Sequence, residues 1–421
     1  MTSDVRAQYN QLLDNLAREL DIPPSKYQAA VQRYTAVGNW LECGEYDGCD
    51  GSPRIYPQGS FRLGTVVRPI REGKEADYDI DLVCEFRGEK ESTSPGNAKS
   101  AVGDRLKEHG QYSRMLDREG RRCWTLEYAE EDRIGFHLDV LPSLPEAAQV
   151  IAFTSQAGVP YEMARKAIAI TDRQLAGVYS WSTSNPDGYA DWFGMAQRPI
   201  FEKTAIAQKQ VLLQENLGLF KNIEDVPDQL VKTPLQRAIQ LLKRHRDVRF
   251  SGHEIESDKP ISMVVTTLSA RLYQQEGDTY SALQSIVEKL CAHSGLLQPT
   301  TRLDEELAGL SLITRKPDGT WYIANPVNPA ENFADRWHEN GDRKARAFFQ
   351  WASWVRSDLL DILDYGDIGR IVKSMEGKFG ESLLRRAAQG IYPVPAVVLG
   401  TGQSSKPVEI RNPSKPWGHR G

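Results

Sequence analysis

The chain has no apolar run approaching the roughly eighteen residues needed to cross a bilayer, and its polar opening, Met-Thr-Ser-Asp-Val-Arg, carries no apolar leader segment. Cysteine is sparse. The five residues Cys43, Cys49, Cys84, Cys123 and Cys291 are scattered, and none forms a Cys-x-x-Cys pair. That excludes a disulfide scaffold and a clustered zinc site, and it predicts reduced thiols in a cytoplasmic protein. Net positive charge is also missing: 52 Lys+Arg stand against 57 Asp+Glu, a formal charge of −5. A dedicated, sequence-independent nucleic-acid binder needs a large basic face, although a mean charge can hide a local basic cleft. There is no internal repeat. With 40% hydrophobic and 26% charged residues the composition is that of a globular protein, neither collagenous nor wholly disordered. A length of 421 residues predicts two or three domains.

What is present changes texture along the chain. Residues 5–20 and 26–42 read as helices, the first marked by Leu12, Leu13, Leu16 and Leu20 at near-helical spacing. Pro23-Pro24-Ser25 separates them. Residues 43–56 read as a Gly-, Asp- and Pro-rich loop. Strand-like runs follow at 79–86, 122–128 and 134–141, with a polar loop at 87–99 and a helix near 97–109. A second loop-like stretch covers 180–200. From 203 to 385 the pattern is helical: Thr233-Pro234-Leu235-Gln236 reads as a helix start, with Leu235, Ala238, Ile239 and Leu242 on one apolar face. Residues 261–273 and 343–363 read as further helices. Residues 402–421 read as a flexible tail.

The densest chemistry lies between 58 and 81. Gln58-Gly59-Ser60-Phe61-Arg62-Leu63-Gly64-Thr65 supplies a Gly-Ser turn, and Asp77-Tyr78-Asp79-Ile80-Asp81-Leu82-Val83 supplies paired carboxylates. Alternate strand residues share a face, so Asp79 and Asp81 project together while Ile80 and Leu82 face the core. Side-by-side carboxylates repel, which makes sense around a divalent cation. The Gly-Ser turn suits a phosphate. Phe136-His137-Leu138-Asp139-Val140-Leu141-Pro142 offers a third carboxylate, Asp139. Three carboxylates on neighbouring strands can hold two Mg²⁺ ions roughly 3.5–4 Å apart for an in-line phosphoryl displacement. An isolated Asp-x-Asp pair is a solvated edge in most proteins; Gly59-Ser60 upstream and the Leu138-Asp139-Val140 strand downstream turn the reading toward a metal site, and Asp77 competes for the pairing. The apolar flanks favour Asp79 and Asp81.

This wording resembles the DNA polymerase β-like nucleotidyltransferase superfamily. Within it, Gln58–Thr65, Tyr78-Asp79-Ile80-Asp81 and His137-Leu138-Asp139 are similar to the bacterial cGAS/DncV-like nucleotidyltransferases, the CD-NTases. Further matches are Asn185-Pro186 with Gly188-Tyr189-Ala190-Asp191-Trp192-Phe193, Leu241-Leu242-Lys243-Arg244, and Asn325-Pro326-Val327-Asn328-Pro329 with Glu331-Asn332-Phe333-Ala334. The resemblance spans about 56–340. It implies an α+β fold in which a polymerase β-like nucleotidyltransferase core packs on a helical, oligoadenylate-synthase-like C-terminal domain. The corresponding division is a catalytic domain with N-terminal helices at 1–200, a helical domain closing the cleft at 201–390, and a tail at 391–421.

The implied activity is that of a CBASS anti-phage synthase, which joins NTPs into a cyclic di- or trinucleotide for a downstream effector. It implies two Mg²⁺ ions, or Mn²⁺, on Asp79, Asp81 and Asp139 as catalytic residues. It also implies nucleotide contacts from Gln58, Gly59, Ser60, Lys243 and Ser262. Lys243 would reach the triphosphate and Ser262 its terminal phosphate. Met263 stands where relatives place a stacking aromatic. Read as residues alone, Lys243 is one cation of a basic helix (Arg237, Lys243, Arg244, Arg246, Arg249) and Ser262 an N-cap. Arg62 reads as a phosphate contact or an ion-pair partner. His137 has no assigned role, and Tyr189, Trp192 and Phe193 read as packing at the domain junction. Some CBASS operons encode conjugation enzymes that act on a synthase's C-terminal residue, here Gly421. No nucleic-acid activator is expected, since the animal sensor's zinc ribbon has no counterpart. Two alternatives stay open: transfer to an RNA, protein or small-molecule acceptor, and a non-catalytic nucleotide binder.

Overall fold

The computed structural model describes residues 3–46, 50–68, 70–71, 74–75, 77–131, 134–174, 177–297 and 312–391. The predicted tail, Gly421 included, lies outside the described residues.

Two helices open the chain, α1 (Ser3–Leu20) and α2 (Pro24–Glu42). They part company in space. Leu12, Leu13 and Leu16 of α1 are fully buried in the helical half of the molecule, and Tyr9 donates its hydroxyl to Leu359 O at 2.8 Å. The α2 face of Tyr27, Ala30, Val37 and Leu41 instead covers the sheet.

The sheet is built from β1 (Asp50–Gln58), β2 (Tyr78–Arg87), β3 (Trp124–Glu131), β4 (Ile134–Pro145), β5 (Ile168–Arg173) and β6 (Tyr179–Ser184). The path runs β1-β2-β4-β5-β6, with β3 also paired to β4. Among the described residues of this sheet, β2 and β4 pair parallel and the other pairs are antiparallel. β4 is long enough to bond β3 with its first half and β5 with its last three residues. On one sheet face Ile80, Leu82, Leu138 and Val140 are buried beneath α2 and a helix α3 (Pro95–Glu108), the latter capped by Ser94 accepting from Asn97 N.

The expected loop at 43–56 is therefore corrected: most of its second half is strand β1. Pro53 and Pro57 disguised it, but β1 is an edge, where a missing N–H costs no ladder bond. The loop-like stretch at 180–200 is also corrected. It completes β6, and then Asn185 caps a 30-residue helix, α4 (Pro186–Glu215), through Gly188 N. Asn-Pro-Asp-Gly reads as a turn in isolation; here Pro occupies the first helical position.

The helical half comprises α5 (Pro234–Phe250), α6 (Ser262–Leu272), α7 (Thr279–Ala292), α8 (Glu339–Leu359), α9 (Ile368–Phe379) and α10 (Glu381–Ala387). Thr233 and Gln236 form the expected capping box on α5. Asn340, Gly341 and Asp342 at the start of α8 are left-handed, so regular helix begins at Arg343, as the sequence predicts. Between α7 and α8 the chain is not all helical. Two short hairpins pair Thr314–Arg315 with Trp321–Tyr322, and Ala324–Asn325 with Asn328–Asn332.

Candidate active site

The parallel register of β2 and β4 sets Asp81 directly opposite Asp139, and Asp79 opposite His137. The three carboxylates thus leave the sheet on the face opposite Ile80, Leu82 and Leu138. A cavity of about 440 Å³ opens there, lined by Asp79, Asp81, Asp139, Gly59, Ser60, Lys243 and Ser262 among others. Residues as far apart in sequence as Gly59 and Thr266 converge on one cleft between sheet and helices.

Gly59 is left-handed at φ +64, and a Cβ there would lie 2.3 Å from Asp81 Oδ2. This turn can approach the carboxylate only as glycine. Asp81 is raised to about 7 by burial first, then by the negative charges of Asp139 and Asp79, against the opposing charge of Lys243. Thr125 on β3 donates Oγ1 to Asp139 Oδ1 at 2.5 Å and fixes that carboxylate's rotamer. Asp77 is occupied elsewhere: its Oδ1 accepts from Gly135 N at 2.9 Å. His137 lies 3.7 Å from Asp77 and 3.8 Å from Asp79 and lines the cavity between them.

The opposite wall is α5, and it is not the basic surface its sequence suggests. Arg237 pairs with Asp14 at 2.7 Å, Arg249 with Asp358 at 2.7 Å and Arg246 with Asp247 at 2.7 Å, while Arg244 donates to Phe379 O. Lys243 is only 3% exposed. Its Nζ donates to Thr65 O at 3.1 Å and Thr65 Oγ1 at 3.2 Å. Burial first, then the neighbouring Arg246, lowers its ammonium to about 7. An anion in the cavity would restore the charge.

Four consecutive carbonyls just after the Gly-Ser turn hang from this wall. Gln236 Nε2 donates to Leu63 O, Lys232 Nζ to Gly64 O, Lys243 Nζ to Thr65 O and Gln240 Nε2 to Val66 O, at 2.9–3.1 Å. Gly64, at φ +65, leaves room for Gln236: a Cβ would lie 2.7 Å from its Nε2. The helical half therefore grips the segment that carries Ser60. Sequence reading singled out none of Thr125, Gln240 or Lys232; each is an ordinary polar residue until the fold supplies its partner.

Ser262 is the first residue of α6, not its N-cap, which is Ile261. Its Oγ accepts from Arg246 at 3.1 Å. Arg62 turns away from the cavity to pair with buried Asp187. Gln58 lines a neighbouring cavity of about 300 Å³ that shares Gly59, Asp81 and Met263 with the first. Tyr189 borders that second cavity, while Phe193 is fully buried in the core.

Three aspartates supply hard oxygen donors of the kind Mg²⁺ or Mn²⁺ takes, and the crowding that raises Asp81 is what a cation would relieve. Among the described residues no group of three or more acidic, His or Cys side chains stands close enough together to hold a metal ion by itself. An open arrangement suits a cation that shares its shell with substrate phosphates and water.

Residues 53–142 match the model of the cyclic GMP-AMP synthase DncV-like nucleotidyltransferase domain. The chain is 26% identical over 381 residues to a c-di-GMP synthase of Roseivirga ehrenbergii, covering 90% of this chain and 86% of that protein. It is 25% identical to the cyclic dinucleotide synthase CdnG of Bradyrhizobium diazoefficiens, covering 95% and 92%. The chain is thus similar to the CD-NTases over most of its length, with the family's nucleotidyltransferase domain matched at 53–142. The solved structure of the Bradyrhizobium CdnG in complex with GTP shares the fold, with a TM-score of 0.64 at 22% identity over 90% of this chain and 98% of that one. Escherichia coli CdnC, solved with ATP, aligns at a TM-score of 0.55 and 16% identity over 88% and 98%. The CD-NTase architecture of mixed sheet and helical C-terminal region is thus the α+β class expected from the sequence. Among the described residues no helix is long and apolar enough to cross a membrane.

Proposed function

We propose that this protein is a cyclic-dinucleotide synthase of CBASS defence, with its catalytic domain at 1–200 and the helical domain at 201–390 closing the cleft. The carrying observation is the convergence of Asp79, Asp81 and Asp139 with Gly59, Ser60, Lys243 and Ser262 on one cavity. The family relatives named as cyclic dinucleotide synthases support the same reading. In this reading the adjoining cavity of about 300 Å³, which shares Asp81, is where a second nucleotide would lie.

In this reading a ribose hydroxyl of one nucleotide attacks the α-phosphorus of another and pyrophosphate leaves; a second such transfer closes the ring. Asp79, Asp81 and Asp139 would hold two divalent cations. When bound, these neutralise phosphate charge and lower the pKa of the attacking hydroxyl. Thr125 keeps Asp139 aimed. Ser60 and the backbone at Gly59 seat the triphosphate, Lys243 places positive charge beside it, and Ser262 donates to its far end. Gln58 borders the neighbouring nucleotide. Positioning and charge neutralisation carry such a transfer, and little proton traffic falls to the protein. The product would act on a downstream effector. A conjugation enzyme acting on Gly421 would add a second partner.

The test incubates purified protein with each labelled NTP and Mg²⁺, GTP first, followed by phosphatase. A phosphatase-resistant small product is expected, and the Asp79→Asn/Asp81→Asn double variant should lose it while melting cooperatively. Label on RNA or protein, or a product that survives the double change, refutes the reading.

A further inference from the structure

Arg246 looks in sequence like one more cation of α5. In the fold it is 7% exposed and committed at every nitrogen. Nε donates to Asp247 Oδ1 at 2.8 Å and NH2 approaches the same oxygen at 2.7 Å. NH1 donates to Pro260 O at 3.0 Å and to Ser262 Oγ at 3.1 Å. The guanidinium thereby ties the middle of α5 to the segment that launches α6, and its last bond ends on a hydroxyl that lines the cavity.

That last bond has a directional consequence. A serine hydroxyl has one proton and two lone pairs. An arginine N–H must be accepted by a lone pair, so the Ser262 proton cannot point at Arg246. It is turned toward whatever else the oxygen faces, and that is the cleft. Lys243, one helical turn before Arg246 on α5, borders the same cavity, on the wall opposite the carboxylates. In the proposed reading, a nucleotide with its α-phosphate at the carboxylates would have its outer phosphates toward these two side chains, which line the same cavity.

We infer that Arg246 is a positioning residue that fixes Ser262 as a hydrogen-bond donor to the terminal phosphate, so that the cleft distinguishes nucleoside triphosphates from diphosphates. The inference rests on the nucleotidyltransferase reading of the cavity. Arg246 touches no substrate itself; it acts through the rotamer and proton direction of Ser262. Its charge also stands behind Lys243, but a point charge would favour both nucleotides through their shared phosphates. Only the aimed donor favours the extra one.

Equilibrium binding of a non-hydrolysable GTP analogue and of GDP, with Mg²⁺, reads this directly. In the wild type the triphosphate should bind more tightly. Arg246→Met and Ser262→Ala should each lower the triphosphate-to-diphosphate affinity ratio about tenfold, the loss of one hydrogen bond to a charged group. The double variant should lose no more than Ser262→Ala alone, because both changes remove one contact. Arg246→Lys keeps the charge without the planar fork, and its ratio should fall as well. Additive losses, or equal weakening of both nucleotides in Arg246→Met and Arg246→Lys, would overturn the inference. Should Arg246→Met fail to fold, Arg246→Lys paired with Ser262→Ala carries the same comparison. A wild type that binds neither nucleotide removes the parent reading as well, an outcome distinct from a wild type that binds both with an unaltered ratio in the variants.

Discussion

Gly59→Ala is the most demanding single-atom test of the site. Gly59 holds φ +64, and an added Cβ would stand 2.3 Å from Asp81 Oδ2 and 3.2 Å from its Cγ. The conformation alone costs an L-residue roughly 1–2 kcal/mol. The contact costs more than energy, since the carboxylate must retreat by about 0.7 Å merely to reach the 3.0 Å that real Cβ contacts respect. Asp81 has little room to retreat, being flanked by Asp79 and facing Asp139 across the register. A displacement near 1 Å at a reacting centre costs on the order of 10²-fold. Initial rates of cyclic product formation should therefore fall about 10²-fold in kcat/KM. Melting temperature should fall by only a few degrees, at about 2–4 °C per kcal/mol. Gly110→Ala is the control, because a Cβ there meets nothing within 4 Å. A Gly59→Ala enzyme within about threefold of wild type, against the ~10² expected from misplacement, would show that Asp81 need not sit where the fold holds it.

Thr125→Val removes the hydroxyl that donates to Asp139 while keeping the β-branched shape. A hydrogen bond to a charged group contributes about 1.5–3 kcal/mol, so kcat should drop about tenfold or more with little change in melting temperature; an unaltered kcat refutes the positioning role. A second expectation concerns acid stability. Burial holds the His245 imidazole below its usual range, and its Nε2 meets Asp358 at 2.9 Å. Burial of Asp358 is outweighed by the His245 bond and the charges of Arg249 and Lys378, which hold its carboxyl below the usual carboxylate value. Both shifts have the same sign: as pH falls the unfolded chain takes up protons that the fold resists. The loss begins near the unfolded imidazole value of about 6.5 and continues as Asp358 titrates. Melting temperature should decline from pH 7 to pH 5 (the window set by that imidazole value, about 6.5), and His245→Gln should flatten the upper part of that decline. A slope unchanged by His245→Gln refutes the assignment.

The local chemistry of this protein was legible in the chain itself, wherever strand and helix periodicity alone decides which way a side chain points. Asp79 and Asp81 share a face because alternate strand residues do, and Ile80 and Leu82, at 1% and 0% exposure, confirm which face is core. The capping box at Thr233 and Gln236 formed as read. Distance along the chain hid the rest. Whether Lys243 was a solvated cation or a buried donor depended on Thr65, 178 residues away. The charges of α5 look like a basic surface until Asp14 and Asp358 arrive from elsewhere to pair with Arg237 and Arg249, while Asp247 of the same helix holds Arg246. Edge position made a strand of the proline-rich 50–58 segment, and no local pattern encodes being at an edge. Periodicity fixes the direction of a side chain with respect to its own backbone. Only tertiary packing decides what stands opposite it, because partners chosen by burial and charge come from any point in the sequence.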